Sequence, residues 1–486
     1  MIYKLRPYQE ECVKSISDYI NSDRSDPVLI VGPVGCGKSL LIAKAARLMG
    51  DKTLILQPSK ELLQQNHDKI TSYGIPATIY SASCGKKELS NMIYATLGSI
   101  KKVVDKLKEM GIRNVLIDEA HAGYSPEDGS EFMTFMNELK PKKVIGFTAT
   151  PCRLKNMSIG QTSYSQLNFI TRMRPVYFKN LIHVIQVEEM IRQGFWTPLK
   201  YETWDFNGDA LKLNSNGSEY TAESISEAVR KNGLNNLILR RLMVLKDVCR
   251  SILVFMDSVE SCNTAAEWMN AKICAGMAEV VHGGTPKKQR EAIVERFKSG
   301  GTRVVFNYSA LGTGFDHPGL DCVIVGRPTF SFSSFYQWLG RAVRIKDGKD
   351  SALVVDCCNN SSRFGDIRKL SIENYKGYGW GMFIGDRLIT NIPMGDKVTK
   401  TDLDIKAAKK DRRRGLAQGV TASPVPGRPD HPLGSTVMTF GKYCGWMLHS
   451  IPVSYFKFIN ETFDWDNDRN KDIKEYIDFL FKNNRL

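Results

Sequence analysis

Twelve residues, Val28-Leu29-Ile30-Val31-Gly32-Pro33-Val34-Gly35-Cys36-Gly37-Lys38-Ser39, join an apolar run to a glycine-rich turn that ends in a lysine and a hydroxyl. Such a turn can cradle phosphate. Gly32, Gly35 and Gly37, with Pro33, Val34 and Cys36 between them, let backbone N–H groups face phosphate oxygens. Lys38 suits the β and γ phosphates, and Ser39 can reach a magnesium ion. The spacing G-x-x-x-x-G-K-S gains its meaning from context: an apolar strand before it, and after it Leu40 to Met49, whose Ala, Leu and Lys content suits a helix.

Three further groups fit chemistry on a phosphate. Asn114-Val115-Leu116-Ile117 runs into Asp118-Glu119-Ala120-His121, and carboxylates at the end of an apolar strand sit at the sheet edge where ligands bind. Asp118 can hold magnesium there, and Glu119 can polarise an attacking water. Farther on, Gln337-Trp338-Leu339-Gly340-Arg341-Ala342-Val343-Arg344 sets two arginines three residues apart, which places them on one face of a helix. They can neutralise charge on a transferred phosphoryl group; taken alone, two such arginines read rather as a solvated helix face, and only the series of motifs reverses that. Near the start, Arg6-Pro7-Tyr8-Gln9 opens a helix expected over Glu10 to Asn21. The Gln9 amide has the donor and acceptor to read an adenine edge, while Tyr8 can stack or pack.

The elements that must position these residues alternate regularly. Strands are expected at Val28 to Val31, Lys52 to Leu56, Ala77 to Ala82, Ala95 to Ile100, Asn114 to Ile117 and Lys143 to Thr148, with helices between them. That rhythm predicts an α/β fold with a doubly wound parallel sheet. It resumes at Ile252 to Met256, Ala278 to Thr285 and Thr302 to Asn307, without a second phosphate loop, as suits a domain that closes on a nucleotide held by the first. Between the two series, Asn207 to Tyr220 is rich in Asn, Gly and Ser and reads as an exposed loop.

Composition sets the outer limits. A chain of 486 residues is too long for one core, and 42% hydrophobic with 24% charged residues is the balance of a globular protein. No stretch has the length and apolarity of a membrane helix, and Met1-Ile2-Tyr3-Lys4-Leu5 is not a signal-peptide pattern, so a cytoplasmic location is expected, or the nucleoid if DNA is the partner. The 11 cysteines form no paired C-x-x-C motif and point to a reducing compartment. A net charge of +15 favours a polyphosphate partner such as nucleic acid.

In order, Arg6-Pro7-Tyr8-Gln9, Gly32 to Ser39, Pro58-Ser59-Lys60-Glu61-Leu62, Asp118 to His121, Thr148-Ala149-Thr150, Leu311 to Pro318 and Gln337 to Arg344 resemble the motor motifs of superfamily 2 helicases of the DEAH type. The resemblance covers roughly residues 1 to 365 and implies two tandem RecA-like domains with ATP and Mg2+ in the cleft between them. It implies that Arg6, Gln9, the Gly32 to Ser39 loop, Gly314 and Asp316 bind the nucleotide, that Ser39 and Asp118 hold the metal, and that Lys38, Asp118, Glu119, Gln337, Arg341 and Arg344 serve hydrolysis. Pro58, Ser59, Thr96, Ser99, Thr148, Thr150 and His282 would meet nucleic acid. The usual glutamate before the glycine of the Leu311 to Pro318 motif is Thr313 here, and a histidine common in related chains is Phe364. Phe178 to Ile182 and Ile191 to Leu199, with Gly194-Phe195-Trp196-Thr197-Pro198, resemble the exit of such motors into their second domain.

Within that class, the compact size and the motif forms resemble phage-type branch-migration DNA helicases, which act on forked, four-way or single-strand/duplex junctions; an RNA helicase and an ATP-switched DNA clamp are the alternatives. The expected organisation is a first RecA-like domain over 1–165, connecting helices and loop over 166–245, a second RecA-like domain over 246–375, a basic Pro/Gly-rich linker over 376–432 and a small accessory module over 433–486. The basic run Lys406 to Arg414 can lie along phosphates or end a solvated helix. The module, whose Phe440-Gly441-Lys442-Tyr443 turn precedes Ile451-Pro452-Val453-Ser454-Tyr455, resembles one appended to phage and bacterial nucleases. Its aromatic residues can stack on bases, form a compact core, or serve a protein partner.

Overall fold

The computed structural model describes residues 4–483 apart from 51, 128, 160–161, 312–314, 408–430, 437, 440–442, 444–445, 463–464 and 466–469. Strands are numbered in chain order. The first sheet takes β1 (Val28–Val31), β2 (Thr53–Leu56), β3 (Thr78–Ser81), β4 (Lys86–Lys87), β5 (Met92–Ala95), β6 (Asn114–Ile117) and β7 (Lys143–Thr148). An antiparallel hairpin follows, β8 (Cys152–Ile159) with β9 (Thr162–Phe169), before β10 (Asn180–Val184) returns to the first sheet. Its order is β10-β1-β7-β6-β2-β5-β3-β4, with parallel pairing throughout except at the short edge strand β4.

Burial on both faces explains the unbroken apolar runs: β1, β2 and β5 are buried at every position. Because β1, β2, β5, β6 and β7 are all parallel, the loops after them share one sheet edge. The phosphate loop, Pro58-Ser59, Thr96, Asp118-Glu119 and Thr150 are therefore neighbours in space although scattered in sequence.

The flanking helices obey their end signals. Helix α1 (Pro7–Asn21) begins with a capping box in which Arg6 N donates to Gln9 Oε1 at 3.0 Å. Helix α2 (Lys38–Met49) starts from Gly37 at φ +85°, a left-handed conformation that favours glycine, and buries Leu41, Ile42, Ala45 and Ala46. Ser59 caps α3 (Lys60–Ser72) by accepting from Leu62 N at 3.3 Å.

The second sheet is all parallel: β11 (Leu199–Thr203), β12 (Ile252–Phe255), β13 (Ala278–His282), β14 (Val304–Tyr308), β15 (Cys322–Val325) and β16 (Ala352–Asp356), in the order β11-β16-β15-β12-β14-β13. Beyond it, β17 (Leu370–Tyr375) and β18 (Gly379–Ile384) pair antiparallel. One apolar cluster runs from Tyr8 on α1 and Phe147 on β7 to Phe335, on the helix Phe332–Leu339, and Val354 on β16, so the two domains share a packed boundary. A separate C-terminal unit, Lys376–Tyr378 with Thr399–Leu486, has its own small core of Met438, Leu448, Phe456, Tyr476 and Leu480 among others.

Three expectations shift. The strand placed over Ala95 to Ile100 is Met92–Ala95, and Leu97–Ile100 is helical, because Met92-Ile93-Tyr94-Ala95 is the buried run and Thr96 ends it. The first sheet reaches Val184, past the boundary set at residue 165, and the second claims Leu199–Thr203 from the stretch assigned to connection. The loop from Asn207 to Tyr220 is tied at its end, where Glu219 accepts from Phe330 N at 2.7 Å and Thr329 Oγ1 at 2.5 Å.

Candidate functional site

A cleft of about 330 Å³ opens between the two sheets. One wall carries Pro33, Val34, Gly35, Gly37, Lys38, Ser39, Asp118 and Glu119 from the first domain; the other carries Asp316, Gln337, Gly340, Arg341 and Arg344 from the second. Five cations (Arg6, Lys38, Lys69, Arg341, Arg344) face three carboxylates (Asp118, Glu119, Asp316), an imbalance that suits a polyanion.

The loop is held in shape from behind. Gln9 Nε2 donates to Cys36 O at 2.8 Å and Tyr8 Oη to the same carbonyl at 3.2 Å. A Cβ on Gly37 would stand 2.5 Å from Gln9 Nε2, and one on Gly32 would stand 2.7 Å from Cys36 Sγ. Gln9, Gly32 and Cys36 thus brace the cradle without lining it, and both ends of the Gln9 amide are engaged within the protein. Arg6 lies 4.5 Å over the Phe195 ring, and both line the cleft. Trp196 Nε1 donates to Val34 O at 2.7 Å, while Thr197 N donates to Val343 O at 2.8 Å, so one short strap ties the phosphate loop to the arginine segment.

That segment corrects an expectation. The helix is Phe332–Leu339 and ends at Gly340, so Arg341 and Arg344 stand in the turn and extended chain after it rather than on a helix face. Arg341 N and Ala342 N bond to Trp338 O and Leu339 O, which tightens the last turn, and Thr197 then pulls Val343 out of helical register. Both arginines still reach the cleft. Arg341 donates to Phe315 O at 2.5 Å, Arg344 pairs with Asp316, and burial pushes each guanidinium down to about 10, an effect that Glu119 partly offsets at Arg341.

The carboxylate pair is buried and crowded. Asp118 is pushed up to about 6 by burial and by the charge of Glu119. At Glu119 burial also raises the carboxyl, but the opposing charges, that of Lys38 first with Nζ 3.4 Å from Oε1, outweigh it, so Glu119 stays ionised. Lys38 mirrors this: burial opposes its charge, and Glu119, Cys36 and Asp118 hold the ammonium above its ordinary value. Asp118 Oδ2 accepts from Asn66 Nδ2 at 2.9 Å, Asn66 Nδ2 also reaches Gln57 Oε1 at 3.0 Å, and Ser39 Oγ donates to Asn66 Oδ1 at 2.7 Å. A buried aspartate joined through Asn66 to the Ser39 hydroxyl, next to the lysine-bearing loop in space, fits a divalent cation brought in with a polyphosphate.

Behind the pair, His121 Nδ1 lies 3.4 Å from Glu119 Oε2 and 2.8 Å from Thr148 Oγ1. His121 Nε2 lies 3.2 Å from Ser333 Oγ of the second domain, which in turn lies 3.2 Å from Thr150 Oγ1. Pro58, Ser59, Thr96 and Ser99 sit outside the cleft at the strand ends of the first sheet; Thr96 Oγ1 donates to Ser99 Oγ at 3.2 Å, and Ser99 Oγ accepts from Ala82 N at 3.0 Å. His282 ends β13 and bonds locally to Gly284 N at 3.1 Å. Gly314, with Gly312 and Thr313, lies outside the described residues, as do most of the basic run, the Pro/Gly-rich stretch and Phe440-Gly441-Lys442.

Sequence reasoning missed Gln57, Asn66, Lys69, Phe195 as a cleft residue, and Ser333. Asn66 and Lys69 carry a faint signal: with Leu62 they fall at helical spacing on α3, on the face that meets the cleft. Ser333 carries none that links it to His121.

Two parallel-sheet domains with a cleft between them that the glycine loop, the carboxylate pair and the two arginines line define a two-domain, RecA-like core. Residues 2–153 match the family model described as type III restriction enzyme, res subunit, and residues 235–346 match the helicase conserved C-terminal domain. Together these matches indicate a superfamily 2 helicase. The chain is 24% identical over 332 residues to a "51.5 kDa protein" of a Lactococcus phage, covering 68% of this chain and 65% of the phage protein. It is 24% identical over 279 residues to "Putative ATP-dependent helicase IRC3" of Saccharomyces cerevisiae, covering 57% and 38%. The matches therefore span less than two thirds of either relative. In fold it is similar to the type ISP restriction-modification enzyme LlaBIII bound to DNA, with a TM-score of 0.54 and 14% identity over 85% of this chain and 30% of that one. Among the described residues no helix is long and apolar enough to cross a membrane.

Proposed function

We propose that the protein is an ATP-dependent DNA helicase or translocase that couples ATP hydrolysis to unwinding or branch migration of forked or four-way DNA in replication, recombination and repair. The observation that carries this reading is the cleft itself, with Lys38, Asp118 and Glu119 on one domain facing Arg341 and Arg344 on the other. In this mechanism the Gly35 and Gly37 turns and Lys38 bind the phosphates, and Ser39 and Asp118 would hold a magnesium ion, which would supply neutralisation of phosphate charge. Glu119, kept ionised by Lys38, orients the attacking water and accepts its proton, while Arg341 and Arg344 stabilise charge on the transferred group when the domains are closed. Arg6 and Phe195 border the cleft where the base would lie.

Since one catalytic wall comes from each domain, hydrolysis is coupled to domain closure, and a nucleic acid that spans the edges of both sheets would bias that closure. Thr148 and Thr150 link the carboxylate loop to that edge, with Pro58, Ser59, Thr96, Ser99, Gly314 and His282 proposed along the backbone. The net charge of +15 supports a phosphate-backbone partner. DNA is favoured over RNA by the Gly312-Thr313-Gly314-Phe315-Asp316 motif, and by the DNA-bound enzyme that shares the fold. The test is ATP-dependent processing of a labelled four-way junction beside plain duplex DNA and duplex RNA, with Lys38→Ala as control. Processing confined to the DNA junction and lost in Lys38→Ala is expected. Stimulated hydrolysis with every substrate intact would point to a clamp, and activity on RNA alone would replace DNA as the partner.

A further inference from the structure

We propose that Ser333 is a positioning residue whose hydroxyl, carried by the second domain, fixes His121 of the first domain in the tautomer that directs its Nδ1–H toward Glu119. The inference rests on the ATPase reading above, and it adds a contact through which domain closure reaches the water-orienting carboxylate.

The hydrogen-bond roles follow from what each group can do. Glu119 Oε2 lies 3.4 Å from His121 Nδ1 without hydrogen-bond geometry, and the negative charge of that carboxylate favours a proton rather than a lone pair on Nδ1. Thr148 Oγ1, at 2.8 Å, can accept from the same N–H. A neutral imidazole with its proton on Nδ1 leaves Nε2 as an acceptor, and burial disfavours the doubly protonated ring. Ser333 Oγ stands 3.2 Å from Nε2 and can donate to it, while Thr150 Oγ1, 3.2 Å from Ser333, can donate onward. Donation then runs in one direction, from Thr150 to Ser333 to His121 and on to Thr148, whose Oγ1 also accepts from Thr150 N at 3.0 Å, with the Glu119 carboxylate beside the Nδ1–H.

The surroundings make the tautomer matter. Thr148 and Thr150 are fully buried, and the His121 side chain is 9% exposed. Arg153 Nε donates to His121 O at 2.6 Å, which clamps the backbone that carries the ring. An Nε2 acceptor without Ser333 would face a site with little water, and the alternative tautomer, with its proton on Nε2, would turn a lone pair toward the Glu119 carboxylate. Ser333 is also one helical turn before Gln337 on Phe332–Leu339, so a single helix face presents Ser333 to His121 and Gln337 to the cleft.

The test compares Ser333→Ala with Ser333→Thr in the full chain, measuring steady-state ATP hydrolysis with and without single-stranded DNA. Loss of the hydroxyl is expected to lower the DNA-stimulated kcat about tenfold with KM for ATP within about twofold, and Ser333→Thr to restore most of it. A second readout does not need catalysis: imidazole 15N shifts of His121, assigned with His121→Gln, should show an unprotonated, hydrogen-bonded Nε2 in the native chain and a mixture of tautomers in Ser333→Ala. Undiminished stimulation in Ser333→Ala, Ser333→Thr as impaired as Ser333→Ala, or an unchanged His121 spectrum would each overturn the proposal. Absence of DNA-stimulated hydrolysis in the native chain would instead sink the ATPase reading, while the spectra would still decide the role of Ser333.

Discussion

Lys38, Asp118 and Glu119 form one electrostatic unit, and removing any member reprices the other two. Lys38→Ala takes away the cation that keeps Glu119 ionised, and with it the partner for the phosphates. Hydrolysis should fall at least about a hundredfold, read as kcat in a coupled assay, with little change in far-UV circular dichroism. Asp118 makes a prediction about pH. Its folded value of about 6 lies above the ordinary 3.8, so the folded state binds the proton more tightly than the unfolded chain. The stability this contributes is present at low pH and lost as pH rises through about 6. Asp118→Asn removes that loss. The nucleotide-free variant should melt a few degrees above the native protein at pH 8, with the gap narrowing as pH falls through 6, in differential scanning calorimetry. Magnesium with ATP should raise the melting point of the native protein and leave the variant almost unmoved.

At the scale of elements, the strap Phe195-Trp196-Thr197 joins the two walls of the site. Trp196 is 2% exposed and donates to Val34 O, so Trp196→Phe keeps most of the bulk and removes one donor; a cost of about 1–2 kcal/mol is expected, against about 3–5 kcal/mol for Trp196→Ala. Urea melts measure both, and in the phenylalanine variant KM for ATP should rise because the loop loses its tether. Gly340 tests the other wall. A Cβ there would stand 2.5 Å from Val34 Cγ2, 2.8 Å from Val34 Cβ and 3.1 Å from Tyr336 O, so Gly340→Ala should push the arginine segment off the phosphate loop. Stimulated hydrolysis should drop about tenfold or more while overall stability changes by less than about 2 kcal/mol. The elements themselves were largely legible in the sequence, since a parallel strand buried on both faces is a continuous apolar run and the loop between β1 and α2 takes left-handed backbone at Gly35 and Gly37, which marks it with glycine. The arginine segment was not: spacing suggested a helix face, and a backbone bond from Thr197, far away in sequence, decides otherwise. Ser333 was invisible for the same reason, because its partner His121 comes from the other domain.

At the scale of the whole molecule, the motor core and the C-terminal unit have separate apolar cores. The clusters around Tyr8, Phe147 and Val354 and around Ile238 and Phe306 include no residue of the cluster built on Leu448, Phe456 and Tyr476. The change of composition near residue 376 is where the sequence expectation begins its linker, whereas in the structure Gly379–Val398 belongs with the motor core and the C-terminal unit takes Lys376–Tyr378 and Thr399–Leu486. What the sequence could not supply is which side chains of the last unit face solvent: Trp446 and Phe458 are 45% and 58% exposed, and Tyr443 and Tyr455 stand between them with ring centroids 4.8–6.3 Å apart along the series. Residues 433–486 carry seven basic and seven acidic side chains, so a grip on DNA by this unit would come from stacking more than from charge. Deleting 433–486 separates the two contributions. Because the cores are distinct, the melting point of the motor and its basal hydrolysis should stay within about a degree and about twofold. Affinity for a four-way junction, measured by anisotropy, should fall several-fold while the slope of log Kd against log salt changes by less than about one, since few phosphate contacts are removed. Unchanged affinity would assign the module to a protein partner, and a large loss of slope would mean that lysines such as Lys457, rather than the aromatic series, carry the grip.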